Sequence, residues 1–123
     1  MIKVNHLPNT FWNRAVKEKI EKVCQQNDVV FMALFGSFAK GKQTPKSDID
    51  ILIRFDSSRE KSLLDLIHTE NEMRKVFKRR VELLSQESIS PYLRNEILRS
   101  MKVVYEKDNL YLRQMILPRS IRG

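Results

Sequence analysis

Cys24 is the only cysteine in 123 residues. One thiol excludes an intramolecular disulfide and any cysteine-based metal cluster, so Cys24 is expected to pack as a small apolar side chain. His6 and His68 are the only histidines, and neither has a partner histidine nearby with which to bind a metal. With three glycines and four prolines there is no linker composition, and no repeat or low-complexity tract interrupts the chain. One domain is therefore expected over residues 1–123, with a modest core. No apolar run approaches membrane-spanning length, and the N-terminal MIKVNHLPNT lacks the apolar core of a signal sequence. A cytoplasmic protein without membrane contact is the expectation.

Positive charge is what the chain has in excess. Its net charge of +8 implies an anionic partner, whether nucleotide, nucleic acid or an acidic surface. Lys40, Lys42 and Lys46 fall in one short loop, where they can meet phosphates. Arg74, Lys75, Lys78, Arg79 and Arg80 form a second group, and Arg113, Arg119 and Arg122 load the C-terminal tail. With no RNA-binding motif beside them, the last two groups read as solvated surface in preference to a nucleic-acid patch.

The most informative stretch runs from Val29 to Phe55. VVFMALF is a continuous apolar run of strand length, β-branched and aromatic, as in a strand buried on both faces at the centre of a sheet. Gly36 ends it with freedom for unusual backbone angles and room for close approach. A short helical turn over Ser37–Lys40 would aim free N–H groups at an anion such as a triphosphate. In DIDILIRF, Asp48 and Asp50 share one face of a strand while Ile49, Ile51, Ile53 and Phe55 fill the other. A slip of one residue would bury the carboxylates, so the alternation fixes the register. Paired carboxylates repel unless a cation lies between them, and their hard oxygens suit Mg²⁺ or Mn²⁺.

The flanking segments complete an α+β pattern. A helix over about Thr10–Gln26, capped by Asn9 or Thr10, turns Trp12, Val16, Ile20, Val23 and Cys24 to one side. A second, over about Lys61–Lys78, can be capped by Ser57-x-x-Glu60 or Ser62-x-x-Asp65 and turns Leu63, Leu66, Ile67, Met73, Val76 and Phe77 inward. RRVELLS reads as a strand with Val81 and Leu83 opposite Glu82 and Leu84. Ser90 and Pro91 open a helix with Leu93, Ile97 and Met101 buried, and Val103–Tyr105 closes the sheet. The expected fold is α/β in composition (α+β), a small mixed sheet with helices packed mainly on one face and the carboxylates lining an open one. The core covers about residues 10–106, with a tail over 107–123.

Gly-Ser, ten residues, then Asp-x-Asp within Ser-Asp-Ile-Asp resembles the signature of the DNA polymerase β-type nucleotidyltransferases, and the short chain resembles their minimal nucleotidyltransferase (MNT) branch over about residues 12–106. Background residue frequencies would match the four fixed positions roughly once in 10⁵ starting points. The resemblance implies a polymerase β-like fold and transfer of AMP from ATP to a hydroxyl by a two-metal mechanism. Asp48, Asp50 and Glu82 are then the catalytic carboxylates and the metal ligands. Gly36 and Ser37 hold the phosphates, with Lys42 and Ser47 as further nucleotide-binding candidates. Glu82 stands where the family usually has aspartate, and its extra methylene moves the carboxylate by about one bond length.

MNT proteins typically act as antitoxins beside a HEPN toxin, so the implied acceptor is a tyrosine of such a partner. Polymerases and aminoglycoside-modifying enzymes of the superfamily use added domains for which 123 residues leave no space. The rival reading, favoured by the substitution at Glu82, is an antitoxin that neutralises its partner by binding alone.

Overall fold

The computed structural model describes residues 2–3, 13–44 and 46–107. Expectations that fall on His6, Asn9, Thr10, Trp12 and the tail from residue 108 lie outside the described residues. In chain order the elements are β1 (Ile2–Lys3), α1 (Arg14–Gln26), β2 (Val29–Phe35), α2 (Gly36–Ala39), β3 (Ile49–Phe55), α3 (Leu63–Phe77), β4 (Val81–Ser85), α4 (Pro91–Ser100) and β5 (Lys102–Glu106). A single 3₁₀ turn, Gln86–Ser88, separates β4 from α4.

The sheet order is β1-β5-β2-β3-β4, with β2 at the centre as its apolar run requires. β2 is antiparallel to both neighbours, β3 and β5, while β4 lies parallel to β3 and β1 parallel to β5. The expected mixed sheet is present. β1, only two residues long, has no periodicity by which a sequence could reveal it.

The alternation in β3 divides the core between two faces. Ile49, Ile51 and Ile53 are fully buried with Ile20, Val23 and Cys24 of α1 and Met73 of α3. Burying each such isoleucine stabilises the fold by about 1.5–3 kcal/mol, so a register slip in β3 forfeits several at once. On the other face Leu52, Phe31 and Ala33 pack against Ile97 of α4 and Met101, the residue that caps its C-terminus. Two of the three long helices thus cover one face. The carboxylate face is not the wholly open one expected from sequence, because α4 seals it at Leu52, while Asp48, Asp50 and Glu82 keep access to solvent.

Helix ends follow local hydrogen bonding. α1 is capped by Asn13, whose Oδ1 accepts from the Val16 N–H at 3.0 Å, and not by Asn9 or Thr10. α4 has the expected Ser90 cap and Pro91 at its first turn, but Leu93 is exposed while Ile97 and Met101 are buried. Cys24 is free and buried, and burial pushes its thiol pKa well above the ordinary value. No helix among the described residues is long and apolar enough to cross a membrane.

α3 departs from its expected inward stripe. Met73 is buried, and Leu66, Val76 and Phe77 pack against the core, but Leu63 and Ile67 are 70% and 44% exposed. At about 100° per residue the buried arc centres on Leu66, Thr69, Met73 and Val76, which leaves Leu63 and Ile67 on the flank shared with Glu70 and Arg74. Thr69 takes the vacant inward position, and its Oγ1 donates to the Asp65 carbonyl at 2.9 Å, so its burial leaves no polar group unmet. The helix starts with the Ser62–Asp65 capping box, in which Asp65 Oδ2 accepts from the Ser62 N–H at 2.8 Å.

Ser62→Ala is expected to lower stability by about 1 kcal/mol in urea denaturation at neutral pH. Hydrogen bonds from the backbone N–H and hydroxyl of Ser62 hold Asp65 below the usual carboxylate range. The stability linked to that ionised carboxylate is therefore complete above its ordinary pKa and lost as pH falls through the lowered value. The difference between the wild type and Asp65→Asn should shrink over the same acidic interval.

Candidate active site

The site lies where the end of β2 meets the starts of β3 and β4. Gly36 closes β2 with φ +70°, a left-handed conformation that glycine adopts without steric cost. A side chain there would also collide with Asp50, because Oδ2 of Asp50 occupies the space of a Gly36 Cβ. The space that a Gly36 side chain would take is therefore filled by the protein's own carboxylate. Ser37 follows within the single turn of α2, where the Lys40 N–H returns to the Gly36 carbonyl at 3.1 Å.

Strand register places the carboxylates. Asp50 pairs with Phe35 across β2 and with Glu82 across β4. Phe35, Asp50 and Glu82 thus follow one another across three adjacent strands, with Gly36 directly after the first of them. Asp48 precedes β3 and lies on the Asp50 side of it, while the Ile49 N–H donates to the Arg80 carbonyl at 2.9 Å and fixes the start of the strand. Burial raises the Asp50 pKa above the usual carboxylate range, and the negative charges of Glu82 and Asp48, with a hydrogen bond to Glu82, push in the same direction. Three carboxylates are thus close enough in this corner for two of them to disfavour ionisation of the third.

A cleft of about 550 Å³ contains Asp50 and Glu82 together with Glu70, Arg74 and Arg80. A larger cleft, about 610 Å³, lies at the far ends of β3 and β4 near Phe55 and Ser85 and contains none of the motif residues. Asp48 Oδ1 lies 3.8 Å from Nε of Arg80, whose side chain is 82% exposed. An ion pair so exposed is worth at most about 1 kcal/mol, so it restrains Asp48 only weakly.

Lys42 is exposed, and its N–H donates to the Ser37 carbonyl at 2.9 Å, which places it at the start of the loop leading to Asp48. The Ser47 hydroxyl is engaged within that loop, where it accepts from the Thr44 N–H at 2.7 Å and lies 3.2 Å from the Thr44 hydroxyl. Arg79 clasps the same loop from outside, with Nη1 donating to the carbonyls of Thr44 and Ser47, both at 3.1 Å. Four residues of the site, Glu70, Arg74, Arg79 and Arg80, were not singled out by the motif. Only the position of Arg79 and Arg80 directly before β4, and the i, i+4 spacing of Glu70 and Arg74, hint at them in the sequence.

Among the described residues, no group of three or more His, Cys, Asp or Glu side chains is already arranged to hold a metal ion. In kind, the donors fit a hard divalent cation. They are all carboxylate oxygens, with Asp50 and Glu82 paired across adjacent strands.

Residues 18–110 match the family of polymerase beta nucleotidyltransferases, and the chain belongs to that family. An inferred protein adenylyltransferase of Methanocaldococcus jannaschii is 39% identical over 83 residues, covering 68% of this chain and 87% of the relative. A solved structure assigned as a minimal nucleotidyltransferase is 31% identical, with a TM-score of 0.62 over 72% of this chain and 88% of its own. The fold also matches a structure of a Shewanella oneidensis tri-AMPylated HEPN toxin in complex with its MNT antitoxin. There the TM-score is 0.59 at 19% identity, over 84% of this chain and 82% of that one.

Gly36→Ala is expected to cost about 1–2 kcal/mol from the left-handed backbone alone, and more from the contact with Asp50. In a double-mutant cycle, the penalty should fall when Asp50→Ala is present. Asp50→Asn should raise the melting temperature of the metal-free protein at pH 7 by removing a crowded charge. A folded pKa above the unfolded one means that this group favours the fold at low pH and loses that contribution as pH rises through the raised value, so the gain should diminish on acidification.

Proposed function

We propose that the protein transfers AMP from ATP to a hydroxyl group, most specifically a tyrosine of a HEPN toxin. The observation that carries this reading is the strand register that sets Asp50 beside Glu82, with Asp48 two residues away on the same side. The kinship with inferred protein adenylyltransferases supports a protein acceptor. The fold is shared with an antitoxin captured beside an AMP-bearing HEPN toxin, which gives the class of partner to test.

In this reading Asp48, Asp50 and Glu82 hold one divalent cation and Asp48 with Asp50 a second. When bound, such ions, Mg²⁺ foremost, supply Lewis-acid stabilisation of charge at the α-phosphate and lower the pKa of the attacking hydroxyl. Main-chain N–H groups at Gly36 and Ser37, with the Ser37 hydroxyl, bind the β and γ phosphates. Lys42, in the exposed loop beyond, contributes positive charge to the same phosphates. Ser47 acts through the shape of the loop, since its hydroxyl is already engaged by Thr44. The acceptor oxygen attacks the α-phosphorus in line, the bond to the β-phosphate oxygen breaks, pyrophosphate leaves, and Glu82 accepts the hydroxyl proton.

The test is intact-mass spectrometry of the protein incubated with ATP, Mg²⁺ and the product of the neighbouring gene. One or more AMP groups should appear on the partner. Asp48→Asn/Asp50→Asn should reduce transfer beyond the roughly 10–100-fold loss typical of outer-shell changes at metal sites. A stable complex that neutralises the toxin without transfer would instead identify an antitoxin acting by occlusion.

A further inference from the structure

Among the described residues β4 is the outer strand of the sheet, hydrogen-bonded to β3 on one side only. In a parallel pair, alternate residues turn their N–H and C=O groups away from the neighbour, and at an edge those groups ordinarily meet water. Leu83 is such a residue, but its N–H donates to Oε2 of Glu70 at 3.2 Å, thirteen positions back on α3. The other oxygen of the same carboxylate, Oε1, accepts from Nη2 of Arg74 at 2.8 Å. Glu70 therefore joins the backbone of the edge strand to a guanidinium one helical turn along α3.

The peptide unit held in this way links Glu82 to Leu83. Its carbonyl belongs to Glu82 and faces β3, while its N–H is gripped from outside by Glu70. Glu70 and Arg74 line the same cleft as Asp50 and Glu82. A glutamate at this place has one more rotatable bond than an aspartate, and a firmly held backbone keeps strand motion from adding to that freedom.

We infer that Glu70 is a positioning residue for Glu82, pinning the edge strand so that the third carboxylate remains opposite Asp50. This rests on the reading of Asp48, Asp50 and Glu82 as metal ligands. Glu70 itself is occupied by Leu83 and Arg74 and acts through the backbone.

Mn²⁺ binding to the full chain, followed by calorimetry and by the electron paramagnetic resonance of the free ion, tests the inference without requiring turnover. Glu70→Ala should weaken binding by about 10–100-fold and accelerate hydrogen exchange at the Leu83 amide. Glu70→Gln keeps a carbonyl acceptor for that amide and should remain close to wild type. Glu72→Ala, on the same helix but paired with His68, should change neither. Unchanged Mn²⁺ affinity in Glu70→Ala, despite faster exchange at Leu83, would overturn the proposal. So would a Glu70→Gln variant as weak as Glu70→Ala, because charge and not the acceptor would then be responsible.

Should Glu70→Ala fail to fold by circular dichroism, Arg74→Ala replaces it. That variant should show a smaller loss in the same direction, and wild-type affinity would count against the role. Asp48→Asn/Asp50→Asn in the same titration separates the two layers of argument. Undiminished Mn²⁺ binding there removes the metal reading itself, whereas loss there with Glu70→Ala unaffected removes only the part assigned to Glu70.

Discussion

The burial of Ile49, Ile51 and Ile53 on one face of β3 is the constraint from which the site follows. Those side chains are fully excluded from solvent, and the strand period of two leaves Asp48 and Asp50 no choice but the opposite side. Hydrogen bonding to β2 and β4 then sets Asp50 between Phe35 and Glu82. The hydrophobic effect, which has no directional preference of its own, thereby places charged groups with the precision of the ladder.

That placement works against the stability of the isolated domain. Asp50 is partly buried next to two other carboxylates, and its burial, their charges and the hydrogen bond with Glu82 all disfavour its ionised form. Arg80 approaches Asp48 from solvent, where screening makes the attraction slight. An arrangement with this cost is characteristic of sites shaped for a ligand more than for the fold.

Much of this was legible in the sequence because it depends on short-range periodicity. β2 announces itself by an unbroken apolar run, β3 by alternation broken only at Leu52, and α4 by Ser90 and Pro91 at its start. The failures occur where tertiary geometry decides. Leu63 and Ile67 fit a helical stripe on paper, but the sheet meets α3 about a quarter-turn or more away, and Thr69 fills the interior because its hydroxyl finds a carbonyl. Arg79 was indistinguishable from its basic neighbours, since its hydrogen bonds reach a loop more than thirty positions earlier. Glu70 likewise reveals nothing until α3 is laid beside the edge of β4.

The contact between Asp50 and Gly36 also restricts the routes by which this site can change over evolutionary time. While Asp50 is present, any side chain at position 36 meets both an unfavourable φ and an occupied space. Once Asp50 is replaced by a smaller residue, only the backbone preference remains, and asparagine, which visits the left-handed region more readily than most residues, becomes admissible. Sterics thus favour one order of steps, since a side chain entering at position 36 while the carboxylate is present must first displace it. A descendant that retains Asp50 meets both penalties at position 36, whereas one that has lost the carboxylate meets only that of the backbone.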